Sequence, residues 1–155
     1  MAGTRVTVDV EALADLDDRD DLPAEEGAVD VAILGDALGH VRDPHRLLSL
    51  TRRYLRPFGR IVCSVPNVKH FSLLVPLLVA DRFQHGGGRL FTLEEIKGLL
   101  AECGFETVEV EARRAAPLPE RYRPLVELAG RLGADPRETA ARLETERYVV
   151  VATPI

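Results

Sequence analysis

Cysteine is scarce in this sequence: Cys63 and Cys103 are its two, they lie far apart, and there is no second pair. That excludes a disulfide framework and a cysteine-based zinc site, and both residues read as reduced thiols in apolar surroundings. A basic excess is also lacking. The net charge is -5, so neither nucleic acid nor an anionic membrane is an expected partner. No long hydrophobic run exists either: the most apolar segment, Phe71 to Ala80, is well short of the roughly 20 residues that cross a bilayer. The first 21 residues carry acidic side chains where a secretory signal needs a basic start and an apolar stretch, which points to the cytoplasm. What remains is 155 residues, 46% hydrophobic and 29% charged, the make-up of one globular domain, residues 1–155, with no internal repeat and no linker.

Strand signals alternate with helix signals along the chain, the pattern of an α/β domain with a mostly parallel sheet. Arg5 to Val10 is the first strand. An acidic stretch with Asp15, Asp17, Asp18, Asp20 and Asp21 follows. It lacks the Gly and terminal Glu of a calcium loop at the required spacing, so it reads as a solvated loop or short helix. Val29 to Leu34 is apolar except for Asp30, as in a strand buried on both faces. Asp43-Pro44 opens a helix, because Asp caps the free N–H groups and Pro suits the first helical position. Arg56-Pro57-Phe58-Gly59 stops it, and Arg60 to Val65 forms a second buried strand. An apolar helix over 68–83 is expected to bend at Pro76. Thr92 with Glu95 makes a capping box, and Gly104 ends the helix that follows. Phe105 to Ala112 is a strand, short helices are expected over 121–132 and 136–143, and Tyr148 to Thr153 closes the sheet.

In open α/β sheets, ligands sit beyond the carboxyl ends of the parallel strands. Three loops leave such ends here: Asp9-Val10-Glu11, Gly35 to Val41, and Ser64 to Asn67. Their polar residues are the natural candidates. His40 is able to act as a general base, histidine being the side chain suited to proton exchange near neutrality, or is simply a loop histidine bonded to backbone. Asn67 either lines a substrate pocket or ends its strand. Asp9 either contacts a ligand or starts a turn. His45, His70 and His85 have no metal-ligand spacing and read as surface residues; no metal site is expected.

The order of segments carries a resemblance. Asp30-Val31-Ala32-Ile33-Leu34-Gly35-Asp36-Ala37-Leu38-Gly39-His40-Val41-Arg42-Asp43-Pro44 resembles the pattern fDvvilgDvLEHvrDP of class I S-adenosylmethionine-dependent methyltransferases. Leu55 to Val62 resembles LrPgGrlv, Ser64 to Asn67 resembles SvPN, Arg89 to Glu94 resembles lRfFTle, and Ala101 to Phe105 resembles eeaGF. The resemblance spans residues 5–112 well and the rest loosely, and is nearest to methyltransferase domains of sugar and polysaccharide biosynthesis. It implies a Rossmann-like fold, helices on both faces of the sheet and an antiparallel C-terminal strand. It also implies S-adenosylmethionine as the cofactor, Asp9, Val10, Asp36 and Ala37 in contact with it, and a small or sugar-linked acceptor near Asn67.

The family's opening strand with its D-x-G-x-G-x-G turn, and the acidic strand end after it, have no counterpart here. The fold is therefore expected to be an incomplete version, a truncated methyltransferase-like domain that binds its cofactor weakly alone. Two other roles stay open, a non-catalytic interaction module and one half of a split methyltransferase. The Glu of the family's LEH is Gly39, and replacing Gly39 by Glu is expected to be tolerated at a solvent-facing loop. In the family order 3-2-1-4-5-7-6, Arg5–Val10 corresponds to strand 3 and Val29–Leu34 to strand 4. With strands 1 and 2 missing, either Arg5–Val10 pairs directly beside Val29–Leu34, or a second copy or complementing chain covers that edge.

Overall fold

The computed structural model describes residues 16–18, 20–80 and 88–155. The expected strand Arg5–Val10, and with it Asp9 and Val10, lies outside the described residues, as does His85.

The residues before the first described strand run beside a helix rather than into solvent. Asp17 accepts from the Arg42 N–H at 2.8 Å, Arg46 pairs with Asp20 at 2.8 Å, Leu22 N–H donates to the Tyr54 hydroxyl at 3.0 Å, and Gly27 N–H donates to the Arg53 carbonyl at 3.1 Å. The acidic stretch is thus a partner for the arginines of that helix. Strand β1 spans Val29–Gly35. A short helix α1, Ala37–His40, and the longer α2, Pro44–Tyr54, follow it. Asp43 caps α2 by accepting from Arg46 N–H at 3.0 Å, with Pro44 in the first turn.

Strand β2 is Leu55–Pro66 and starts earlier than expected. Pro57-Phe58-Gly59 does interrupt it, as a bulge: Val29 pairs with Leu55 but Val31 already pairs with Arg60. Helix α3 is Phe71–Ala80, with Pro76 inside it. Helix α4, Leu93–Glu102, carries the full capping box, Thr92 accepting from Glu95 N–H and Glu95 accepting from Thr92 N–H. Gly104 follows at φ +78°, a conformation that glycine adopts without a Cβ penalty. Strand β3, Phe105–Arg114, the helices α5, Arg123–Arg131, and α6, Pro136–Glu144, and strand β4, Thr145–Pro154, complete the order.

The four described strands form one mixed sheet in the order β1-β2-β4-β3. β1 and β2 are parallel, and β4 inserts antiparallel between β2 and β3, so three strands share one direction. Alternation decides the core. Ile61, Cys63 and Val65 of β2 and Tyr148, Val150 and Ala152 of β4 are buried with Leu47 and Leu48 of α2 and Ile96 and Leu100 of α4. Each of the valines, leucines and isoleucines among them contributes about 1.5–3 kcal/mol on leaving water.

β1 departs from the expected burial on both faces. Ala32 and Leu34 pack against the core, whereas Val31 is 51% exposed and Ile33 75% exposed. An apolar run records a need for cover on both sides; the described residues supply it on one. Among them, β1 pairs on one side only, with β2.

Candidate functional site

The carboxyl ends of β1 and β2 and the start of β4 meet at one end of the sheet: Gly35 pairs with Ser64, and Pro66 with Arg147. Asp36 leaves β1 in the left-handed region at φ 56°, which Asp tolerates better than most residues. The turn is held from both sides. Asp36 N–H donates to the Ser64 carbonyl and to Ser64 Oγ, each at 3.1 Å, and Ser64 Oγ donates back to Asp36 Oδ1 at 2.9 Å. Arg147 Nη1 lies 3.2 Å from Asp36 Oδ2. The carboxylate is therefore fixed in direction and its charge is met by a guanidinium, both groups remaining partly open to solvent.

Helix α1 positions the next residues. Leu38 is fully buried and anchors the turn. Ala37 packs partly against the core. His40, on the last turn, is exposed. Residues 88–91 then cross from this loop to the one after β2. Arg89 N–H donates to the Gly39 carbonyl at 2.6 Å, Val68 N–H donates to the Phe91 carbonyl at 3.4 Å, and Phe91 bridges to Asn67. The crossing requires two glycines. A Cβ on Gly39 would fall 2.7 Å from the Arg89 carbonyl oxygen, and one on Gly88 would fall 2.6 Å from the Gly39 oxygen and 3.0 Å from His40 Nδ1. The expectation that Gly39→Glu is tolerated is therefore corrected: the position faces backbone, not solvent.

Asn67 is 1% exposed. Its Nδ2 donates to the carbonyls of Arg142 at 2.8 Å and Thr145 at 2.7 Å, and its Oδ1 accepts from Lys69 N–H at 3.0 Å. Those bonds use both amide hydrogens, so the side chain ties the end of β2 to the α6–β4 junction and has little left to offer a ligand. Asn67 thus closes the end of β2 through its own side chain. His70 is also corrected: it is buried, not on the surface. Its Nδ1 lies 2.7 Å from Ser72 Oγ, and its Nε2 has no partner among the described residues. Burial holds its pKa below the usual value, with Glu146 opposing. His45 is exposed and pairs with Glu102 at 2.9 Å. Cys63 is fully buried, and burial pushes its thiol up to about 12.

The structure thus brings Asp36, Ala37 and His40 to one end of the sheet and joins to them Ser64 and Arg147, which sequence reasoning passed over. Ser64 stood in the strand-end segment already singled out; Arg147 precedes an apolar strand and carries no local sign of its partner. Among the described residues no helix is long and apolar enough to cross a membrane.

This architecture, with its antiparallel strand set between the last two parallel ones, is the Rossmann-like fold of class I methyltransferases. A family model described as a methyltransferase domain matches residues 6–110, and the chain belongs to that family. It is 38% identical over 68 residues to an uncharacterised 37.1 kDa protein in transposon TN4556 of Streptomyces fradiae, an alignment covering 44% of this chain and 20% of that protein. An S-adenosylmethionine-dependent methyltransferase from Thermotoga maritima superimposes with a TM-score of 0.57 at 20% identity, over 86% of this chain and 59% of the other. A Haloferax volcanii complex of the Trm112 methyltransferase activator and a methyltransferase gives 0.55 at 18%, over 91% and 59%. The chain therefore spans a fifth of the Streptomyces protein and about three fifths of the two solved chains.

The described residues make an incomplete seat for S-adenosylmethionine. Its sulfonium is a cation, and Asp36, the carboxylate at the strand ends, is already neutralised by Arg147. One paired carboxylate does not hold such a cofactor by itself.

Proposed function

We propose that this methyltransferase-family chain supplies the acceptor side of a methyl-transfer site for a small or sugar-linked acceptor, and that it grips S-adenosylmethionine weakly when alone. The observation that carries this is the Asp36–Ser64–Arg147 network at the carboxyl ends of β1 and β2, with exposed His40 one short helix away. Asp36 and Ala37 border the cofactor in this reading, with Asp9 and Val10 completing that border. His40 takes the acceptor's proton, and the chain acts in the cytoplasm. Methyl transfer depends mainly on holding two reactants in line, so a chain that fixes one of them loosely has lost most of the rate enhancement. A complementing chain carrying a D-x-G-x-G-x-G turn would restore it, a second copy of this chain being the other possible partner. A Haloferax methyltransferase of this fold, solved in complex with the Trm112 methyltransferase activator, supports a partner for this chain.

Calorimetric titration of the purified chain with S-adenosylmethionine tests the reading. Weak or absent heat is expected, because a few contacts at one end of the sheet do not offset the entropy lost on binding. A Kd near 1 μM, about -8 kcal/mol, overturns it. A second reading, a non-catalytic interaction module, is favoured by the exposed Val31 and Ile33 on β1; unchanged transfer after His40→Ala in a complemented, active preparation would count against His40 as base.

A further inference from the structure

The two faces of the sheet are unequally covered. On the face that carries α2 and α4, Ile61, Cys63, Val150 and Ala152 are fully buried. The residues alternating with them point the other way and line up across the strands. Ile33 pairs with Val62, Val62 with Val151, and Val151 with Glu109. In the next row Gly35 pairs with Ser64, Ser64 with Val149, and Val149 with Glu111. Val31 and Ile33 are exposed on this face, and Val62 and Val151 in mid-sheet are only half-buried. A parallel pair such as β1 and β2 belongs to sheets covered on both faces, and a contiguous exposed apolar strip marks an interaction surface. The strip ends in acid. Glu106, Glu109 and Glu111 are all exposed on β3. Glu111 meets Arg113 at 3.2 Å, and no ion pair among the described residues meets Glu106 or Glu109.

We propose that this face is the docking surface for one amphipathic helix of a partner chain, its apolar stripe over Ile33, Val62 and Val151 and its lysines or arginines on the flank over β3. The dimensions fit. From β1 to β4 is two strand spacings, about 10 Å, the width of one helix, about 10–12 Å. β1 has seven residues, about 23 Å, the length of about 15 helical residues. The charges disfavour a second copy of this chain. A twofold axis along the strands would lay β1 on the copy's β3 and bury Glu109 against Ile33, a carboxylate against an apolar side chain. An axis across the strands would set the β3 carboxylates against their own copies, a like-charge contact. A basic flank meets neither obstacle. Ser64 lies in the row after Val62 on the same face, so the docked helix reaches the Asp36–Ser64–Arg147 network. The inference names the kind of partner that the methyl-transfer reading calls for, but it stands on the sheet alone.

Methyl-resolved NMR titration of the full chain with two synthetic helical peptides tests this. One carries leucines on one face and lysines on its flanks; the other has glutamate in place of each lysine. The lysine peptide is expected to shift the Val31, Ile33, Val62 and Val151 methyls and to bind at least fivefold tighter than the glutamate peptide. Glu106→Gln with Glu109→Gln removes most of that preference, whereas the same charge change at Glu94 and Glu127, away from this face, leaves it. Ile33→Asp, at an exposed position, abolishes binding with the circular dichroism spectrum unchanged. No binding, equal binding of the two peptides, or a preference that Glu106→Gln with Glu109→Gln does not move overturns the proposal. So do Val31 and Ile33 methyls already shielded from a soluble paramagnetic agent in the dilute chain, which assigns the cover to the chain itself. A concentration-dependent dimer that Ile33→Asp dissolves assigns the face to a second copy and overturns it too. None of these outcomes alters the titration with S-adenosylmethionine, so the two readings fail separately.

Discussion

Gly39→Ala adds one methyl group and tests whether residues 88–91 are locked onto the α1 loop. The new Cβ would stand 2.7 Å from the Arg89 carbonyl oxygen, well inside contact distance. That oxygen belongs to backbone, and Arg89 N–H is itself bonded to the Gly39 carbonyl at 2.6 Å, so neither segment moves without loosening the other. Overpacking of this kind costs about 1–3 kcal/mol, and losing the hydrogen bond adds about 0.5–1.5 kcal/mol. Replacing a helical glycine returns about 0.4–1 kcal/mol through the unfolded chain. The balance is a loss of about 2 kcal/mol, which for a domain of this size lowers the melting temperature by about 4–8 °C. Thermal unfolding followed by circular dichroism reads it directly. Gly39→Glu should fall at least as far. A variant as stable as the parent would refute the close approach and restore a solvent-facing Gly39.

Asn67→Ala leaves the Arg142 and Thr145 carbonyls without their shared donor; each unsatisfied group costs about 1–3 kcal/mol, so denaturant unfolding should show a loss of about 2–6 kcal/mol. In the native protein at pH 8, iodoacetamide is expected to label partly exposed Cys103 and spare Cys63, whose thiol is pushed up to about 12 by burial; mass spectrometry showing equal labelling would contradict that. His70 is harder to protonate folded than unfolded. Below about pH 6.5 the unfolded chain therefore takes up the proton first, and stability falls as the pH drops through that value. Between pH 7 and pH 5 the parent should lose more stability than His70→Leu; parallel pH profiles would rule this out.

What could be read in the sequence was local. Asp43-Pro44, the Thr92–Glu95 capping box and Gly104 mark their helix ends because each satisfies a backbone requirement within three or four residues. The alternation of β2 and β4 is equally legible, since burial on one face imposes a period of two. Contacts between distant segments were not. Arg147 meets Asp36, and Asn67 meets Arg142, across separations of 111 and 75 residues, and no local pattern encodes such partners. Gly39 looked like an ordinary loop glycine because its constraint comes from Arg89. The apolar run of β1 revealed its demand for cover without revealing which face receives it.

The position of β4 has a consequence for how the chain is made. This strand lies between β2 and β3 yet follows both in sequence, pairing Ile61 with Ala152 and Phe105 with Pro154. β1, α2 and β2 are contiguous and can associate early, but β2 then waits for a partner about 80 residues downstream. At a synthesis rate of 5–20 residues per second that delay is roughly 4–16 s. Throughout it β2, whose Ile61, Cys63 and Val65 end fully buried, presents an open edge on the ribosome. Closure of the sheet is a late, long-range event, of the kind that slows folding, and the interval before it is when the nascent chain is most exposed to mispairing and most in need of a chaperone.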